Sequence, residues 1–262
     1  MKIFIPMAGK GTRLKPFTLT CPKPLINVID KPIVEHLIDQ ITSKVKSNID
    51  EIVYILGDES YFNTEVVNSL KIISEKYKAK TKIYRQLEQL GTGHAIMCAE
   101  ESLSGPSIIA YADTMIQGNI EIDTEVDGIM WVKKVDNPSA YGVVNLDNEN
   151  KIIELIEKPA EFISDLAVVG IYYFKEAANL RGYLRKHLSE KLSPGKEYLL
   201  NYGIEKIIEN GGTFIPKEID IWMDCGTPEL LLNSTKIIMD TYHDNVEETR
   251  VFDKEVIIKH PV

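Results

Sequence analysis

Through the first 115 or so residues, short β-rich apolar runs alternate with stretches of helical period. "KIFIP" at the N-terminus is followed by Pro32 to Val45, where Ile33, Leu37, Ile41 and Val45 recur at the spacing that lines one helix face. "EIVYIL" then reads as a strand, Tyr61 to Tyr77 as a helix, "KIYRQ" as a strand, and another helix begins near Thr92. "SIIAYAD" reads as a strand ending at Asp113. This is the βαβ rhythm of a parallel sheet. Such sheets bind ligands at the carboxyl ends of their strands, which makes Asp113 a candidate.

After Gly118 the rhythm changes. "GIMWVKKV", "YGVVNL", "KIIELIE" and "AVVGIYYF" follow in near succession, separated by loops containing "DNPS", "DNEN" and "EKPAE". They predict an antiparallel or mixed addition to the sheet, joined without a flexible linker. Helical period returns near Glu176 to Leu188, Tyr202 to Glu209 and Pro228 to Tyr242, with "DIWMD" as a further strand. No internal repeat is visible, nor the six-residue turn pattern of a β-helix.

Composition adds limits. The 262 residues are 44% hydrophobic, with 12 Pro and 16 Gly, ordinary for a globular chain. A net charge of −9 argues against nucleic acid or a membrane surface as partner. "KIFIP" lacks the basic and apolar regions of a leader, and no apolar run approaches the ~18 residues of a membrane helix. The three cysteines, Cys21, Cys98 and Cys225, stand at wide spacing with no C-x-x-C pair, which reads as reduced thiols and a cytoplasmic protein.

Against that acidic background, "MAGKGTRLKPFTLTCPKPL" (7–25) is basic. A glycine turn after a strand gathers backbone N–H groups at one place and suits a phosphate. Gly9 and Gly11 permit close approach, Thr12 adds a hydroxyl and Arg13 a bidentate fork. Lys23 stands between two prolines that restrict its backbone, as a fixed anionic target would require. A dinucleotide fingerprint fails because Leu14 occupies the third glycine position, and the G-K-[ST] of a Walker A loop is absent.

This segment, with "QLGTGHA" (89–95), "YAD" (111–113), "YGVV" (141–144), "EKP" (157–159), "VVGIYYF" (168–174) and "WMDCGT" (222–227), resembles the sugar-1-phosphate nucleotidylyltransferases in the order of its blocks, over roughly residues 1 to 235. The resemblance implies an α/β, Rossmann-like fold of the GT-A type: a mostly parallel central sheet flanked by helices, with an antiparallel or mixed sugar-binding extension. It implies one nucleotidyltransferase domain over 1–245, with a nucleotide-binding half (1–118), an acceptor half (119–227) and a C-terminal helix (228–245). A tail follows over 246–262. The activity implied is transfer of a nucleoside monophosphate from a triphosphate, dTTP or UTP in the closest branches, to a sugar 1-phosphate, with magnesium as cofactor and pyrophosphate released. Ala8, Gly9, Gly11, Thr12 and Arg13 correspond to the triphosphate loop, and Gln86, Gly91 and Thr92 to the region that reads the pyrimidine. Lys23 matches the lysine bridging the reacting phosphates. Asp113 and Asp224 match the magnesium carboxylates. Lys158 matches the lysine on the acceptor phosphate, with Gly142, Glu157, Val168 and Tyr172 as sugar contacts.

The residues leave other readings beside these. Asp113 also reads as a turn or helix-capping aspartate. His94 reads as a helix-start histidine without catalytic duty, since no Ser or Cys partner is identifiable. "IYYF" reads as a strand with one buried face. The chain departs from the thymidylyl pattern in "SDLAVVG", with Asp165 where an Asn is usual, and in "GKEYLLNYG", where Leu199 and Tyr202 replace acids at the acceptor end. These departures keep open a cytidylyltransferase acting on an unusual or non-sugar phosphate. A non-catalytic nucleotide-sugar-binding regulator is the alternative of another class. The charged segment "HDNVEETRVFDKEVIIKHPV" offers a surface for the chain's own domain or for a neighbouring subunit in a homo-oligomer.

Overall fold

A computed structural model describes residues 1–245 other than 46 and 119, with backbone alone for 242–245. The tail expected over 246–262 lies outside the described residues. The chain opens with β1 (Lys2–Pro6), a loop of three short 3-10 turns, and a small hairpin of β2 (Asn27–Val28) and β3 (Lys31–Pro32). The βα alternation follows as α1 (Ile33–Lys44), β4 (Glu51–Leu56), α2 (Thr64–Lys76), β5 (Lys80–Arg85), α3 (Thr92–Met97) and β6 (Ser107–Ala110). The helix expected from Tyr61 begins three residues later because Asn63 caps it, accepting a hydrogen bond from the Val66 N–H at 3.1 Å.

β7 (Thr114–Gln117), β8 (Gly128–Lys134), β9 (Gly142–Leu146), β10 (Ile152–Glu157) and β11 (Leu166–Phe174) come next. After them lie α4 (Ala177–Leu188), α5 (Leu200–Glu209), β12 (Phe214–Glu218), β13 (Ile221–Asp224) and α6 (Pro228–Asn245). Among the described residues, nine strands form the main sheet. β5, β4, β1 and β6 pair in parallel, β11 runs antiparallel to β6 and β8, and β12 returns parallel to β8. The β9–β10 hairpin joins the sheet through Ala167 of β11 opposite Val143. The sheet is therefore mixed and mostly parallel in its first half, with helices on both faces.

Period-two alternation assigns the two faces. Ile3, Ile5, Ile52, Tyr54, Ile108, Ala110, Ile171 and Tyr173 pack toward α1 and α2. Phe4, Val53, Ile55, Ile109, Tyr172 and Phe174 pack toward α3, α4 and α5. The expectation of one buried face for "IYYF" is corrected here: all four side chains are buried, because β11 sits between β6 and β8 with helices above and below. The strand expected to reach Asp113 ends at Ala110, and Tyr111 to Asp113 turn sharply into β7. β7 and β13 form a separate antiparallel ribbon that packs beside α6 and α1 through Met115, Met223, Leu231 and Ile238. No helix among the described residues is long and apolar enough to cross a membrane.

Candidate active site

The strand ends and loops enclose three adjoining cavities that all include Tyr111 in their walls. The middle one, about 400 Å³, is lined by Gly9, Gly11, Thr12, Arg13, Lys23, Thr92 and Asp113. A smaller one, about 220 Å³, takes in Ala8, Gly9, Gln86, Gln89, Gly91 and Thr92. The third, about 470 Å³, lies toward the β9–β10 hairpin and includes Gly142, Glu157, Lys158, Val168, Tyr172 and Asp224, sharing Arg13 and Asp113 with the middle cavity. Apart from Leu199 and Tyr202, every residue singled out in the sequence as a nucleotide, acceptor or metal candidate thus lines one of these three adjoining spaces.

The basic loop is held by its own hydrogen bonds. Gly11 adopts a left-handed φ of 60°, and a Cβ there would meet side-chain carbons of Lys23 and Thr18 at 3.0 Å. The Thr18 hydroxyl donates to the Gly11 carbonyl at 2.8 Å, and the Tyr61 hydroxyl reaches the carbonyls of Thr18 and Cys21 at 2.7 and 3.0 Å. Gln89, which no sequence motif singles out by role, donates its amide to the Ala8 carbonyl at 3.0 Å and ties the loop before α3 to the loop after β1.

Lys23 is 7% exposed and its ammonium lies 2.9 Å from Asp113 Oδ2. A buried lysine of this kind needs an anionic partner, and the Asp113 carboxylate, 43% exposed at its side chain, keeps the rest of its surface toward the cleft. Asp113 is thereby a turn residue at a strand end, ion-paired rather than helix-capping. The β7–β13 ribbon brings the second carboxylate to it: Asp224 pairs in register with Thr114, and the Cys225 N–H donates to the Asp113 carbonyl at 3.0 Å. Burial, then the charge of Asp113, raises the Asp224 pKa, while the Gly226 N–H at 2.6 Å, Lys23 and Arg13 pull it down. The Arg13 guanidinium lies beside Gly226, where a Cβ would be 3.5 Å from its terminal nitrogen.

Two converging carboxylates, one with its anionic form disfavoured by burial and by the other, are a hard-oxygen donor set suited to a divalent cation. Among the described residues no cluster of three or more His, Cys, Asp or Glu side chains converges. The set therefore fits an ion that completes its shell from phosphate oxygens and water, as magnesium does.

Tyr111 meets Tyr172 edge to face at 5.8 Å between ring centroids, and burial pushes its phenol up to about 12. It is a neutral wall of the cleft. In the third cavity, where the sequence places the acceptor contacts, Lys158 has a positive φ of 46°, and its ammonium is 3.9 Å from Glu157. Leu199 and Tyr202, expected at this end, lie elsewhere. Tyr202 stacks on the His187 ring at 3.7 Å, and Leu199 precedes the first residue of α5 with its carbonyl against Gly93. The residue of this segment that lines the third cavity is Asn201. Its only sequence signal is a position in the first turn of a helix whose start the apolar pattern puts two residues late. The cysteines are free, and burial pushes the Cys225 thiol up to about 12, leaving it unreactive.

Comparison with known proteins places this arrangement in a family. The bifunctional protein GlmU of Methanococcus maripaludis is 32% identical over 99% of the chain and 60% of its own length. The chain thus spans about 60% of the length of that relative. The UTP–glucose-1-phosphate uridylyltransferase AglF of Haloferax volcanii is 30% identical over 87% of the chain and 93% of its own length. A solved structure assigned as a glucose-1-phosphate thymidylyltransferase of Bacillus anthracis shares the fold with a TM-score of 0.76, at 24% identity, covering 92% of this chain and 96% of its own. The pattern of the nucleotidyl transferase family matches residues 4–241, a span that holds all three cavities and both carboxylates, and the chain belongs to that family.

Proposed function

We propose that the chain transfers a nucleoside monophosphate from UTP or dTTP to the phosphate of a sugar 1-phosphate, releasing pyrophosphate. The observation that carries the reading is the wall of Arg13, Tyr111 and Asp113 common to the middle and acceptor cavities, so that two anionic substrates approaching from opposite sides meet there. The names of the relatives, a uridylyltransferase acting on glucose 1-phosphate among them, favour UTP and a hexose phosphate. Residues 1–118 then form the nucleotide half and 119–227 the acceptor half.

In this reading an oxygen of the sugar phosphate attacks the α-phosphorus of the nucleotide. A new phosphorus–oxygen bond forms while the bond to the β-bridging oxygen breaks, and its electron pair leaves on pyrophosphate. No side chain need act as nucleophile, so the work of the protein is positioning and neutralisation of charge. The N–H groups of the Gly9 to Arg13 loop cradle the triphosphate, and Arg13 stabilises charge on the departing pyrophosphate. Lys23, held by Asp113, places a desolvated positive charge between the reacting phosphates. Asp113 and Asp224 would hold magnesium, which when bound draws phosphate oxygens together and neutralises them. Lys158 grips the acceptor phosphate, with Glu157 and Gly142 facing the sugar hydroxyls.

The test is pyrophosphate release by the purified protein with magnesium, over a grid of UTP, dTTP, CTP, ATP and GTP against several sugar 1-phosphates and non-sugar phosphates. Turnover that requires both UTP or dTTP and a sugar 1-phosphate is the expected result. Turnover only with a non-sugar acceptor, or with none, overturns it.

A further inference from the structure

His94 stands at the start of α3 without a catalytic partner, but the structure gives it another use. Gln86 is 6% exposed, and its amide nitrogen lies 3.0 Å from the Gly91 carbonyl and 3.1 Å from Nδ1 of His94. A carbonyl oxygen only accepts, so the amide atom facing Gly91 has to be the NH₂ group. That contact removes the usual ambiguity over which way a glutamine amide is turned. The same nitrogen faces His94, and since it carries only donors, Nδ1 must present a lone pair. The imidazole then carries its single proton on Nε2; a proton on Nδ1 would set N–H against N–H.

Both amide hydrogens are thereby engaged, one on each partner. No described residue donates to Oε1 of Gln86, and this oxygen is not among the sealed polar atoms without a partner. It is left for the small cavity that Gln86 shares with Ala8, Gly91 and Thr92.

We infer that His94 is a positioning residue for base choice: its unprotonated Nδ1 holds the Gln86 amide with the oxygen toward the cavity, where it selects a pyrimidine bearing an N3–H. Uracil and thymine carry that donor, whereas cytosine in the same register sets the N3 lone pair against the oxygen. An acceptor facing an acceptor in a part-buried pocket leaves both unpaired, and such mismatches discriminate more strongly than shape does. Burial lowers the His94 pKa against the opposing pull of the Glu88 charge and backbone carbonyl, which favours the neutral ring near pH 7. His94 acts through Gln86 and touches neither base nor phosphate. The inference rests on the proposed nucleotidyl transfer and names how its base is chosen.

The experiment compares UTP and CTP, by calorimetric binding and by steady-state kinetics, for the wild type, H94L and H94N. The asparagine side chain of H94N retains an acceptor oxygen near the place of Nδ1. In H94L the UTP-over-CTP preference is expected to fall at least fivefold, through the KM for nucleotide, with the KM for sugar phosphate within twofold of wild type. H94N is expected to recover most of the preference. A folded H94L with the wild-type ratio overturns the role of His94 alone. A wild type that prefers CTP to both UTP and dTTP overturns the base assignment of the proposed function, and this inference with it. Long-range proton–nitrogen NMR of the wild type, with the His94 signals identified by their loss in H94N, needs no destabilised variant. The Nε2–H tautomer is expected, and the Nδ1–H tautomer overturns the inference.

Discussion

At the end of the cleft proposed for the nucleotide, Lys23 and Gln86 are 7% and 6% exposed, Lys23 held by Asp113, 90 residues along the chain, and Gln86 by Gly91 and His94 across the loop that leads into α3. At the acceptor end, the side chains of Glu157 and Lys158 are 49% and 66% exposed and make one long contact, 3.9 Å, with each other. The glycines repeat the contrast. Gly91 has a φ of 115° and would place a Cβ 2.6 Å from the Tyr198 carbonyl, whereas a Cβ on Gly142 would meet only the Glu157 carboxylate, at 3.0 Å. The nucleotide end is organised before any ligand arrives; the acceptor end must take its order from the ligand. Substitutions at the first should therefore cost turnover and stability together, and those at the second mainly acceptor affinity.

The largest effect is expected from breaking the centre of the rigid end. Lys23→Ala and Arg13→Ala should each lower kcat by at least ~10²-fold, the scale of removing one preorganised group from a developing charge. Lys23→Ala also leaves Asp113 without its 2.9 Å partner. Asp113→Asn should lower the rate and flatten its dependence on magnesium. Pyrophosphate release across a magnesium titration measures all three, and near-normal rates for Lys23→Ala would detach the buried ion pair from the chemistry.

Gly91→Ala and Gly142→Ala make the comparison directly with one methyl group each. At Gly91 the left-handed backbone and the fixed Tyr198 carbonyl leave the methyl no room. A loss of about 2–3 kcal/mol is expected, which in a chain of this size lowers Tm by roughly 5–10 °C. The KM for nucleotide should rise with it. At Gly142 the carboxylate can swing aside, so Tm should hold and the KM for sugar phosphate rise by a few fold. Equal losses of Tm would mean that the two ends are equally rigid.

The same division governs what is legible in the sequence. α1 follows from Ile33, Leu37 and Ile41, all fully buried, because a helix on a sheet must show a single apolar stripe. The strands from β8 to β11 follow from apolar runs and turn residues. β7 does not, because "TMIQ" is four residues long and its pairing with β13 spans about a hundred residues, which no local pattern records. That ribbon is what carries Asp224 to Asp113. The start of α5 escapes for a related reason: Leu199 and Leu200 offer no cap signal, and a helix read from Tyr202 leaves Asn201, which lines the third cavity, outside the element. The pairing of Gln86 with His94 is hidden because it depends on how the loop between β5 and α3 folds back, not on spacing alone.

Lys158→Ala tests the adaptable end. The ammonium is mostly in water, so its part in the proposed reaction is a grip on the acceptor phosphate, with little contribution to the fold. A roughly tenfold rise in KM for sugar phosphate is expected, about the value of one charge-assisted hydrogen bond. Tm and the KM for nucleotide should stay unchanged, as titrations of each substrate at saturating levels of the other will show. A matching rise in the nucleotide KM would place Lys158 at the rigid end instead.

Where the two ends meet, a small shift in melting temperature is expected, and its sign is the informative part. Asp224 is half-buried beside Asp113, and both burial and that charge disfavour its carboxylate. Asp224→Asn removes the charge but keeps an oxygen to accept the Gly226 N–H, now at 2.6 Å. With a chelator present the variant should melt roughly 1–3 °C above the wild type, the shift made by under ~1 kcal/mol in a chain of this length. Added magnesium should then raise the wild type more than the variant, since only an ion that binds the folded state shifts its melting. The variant should nonetheless lose turnover as heavily as Lys23→Ala. A variant less stable than wild type in chelator would show that Arg13 and Lys23 already neutralise the pair, and that the rigid end extends to Asp224 without a metal ion.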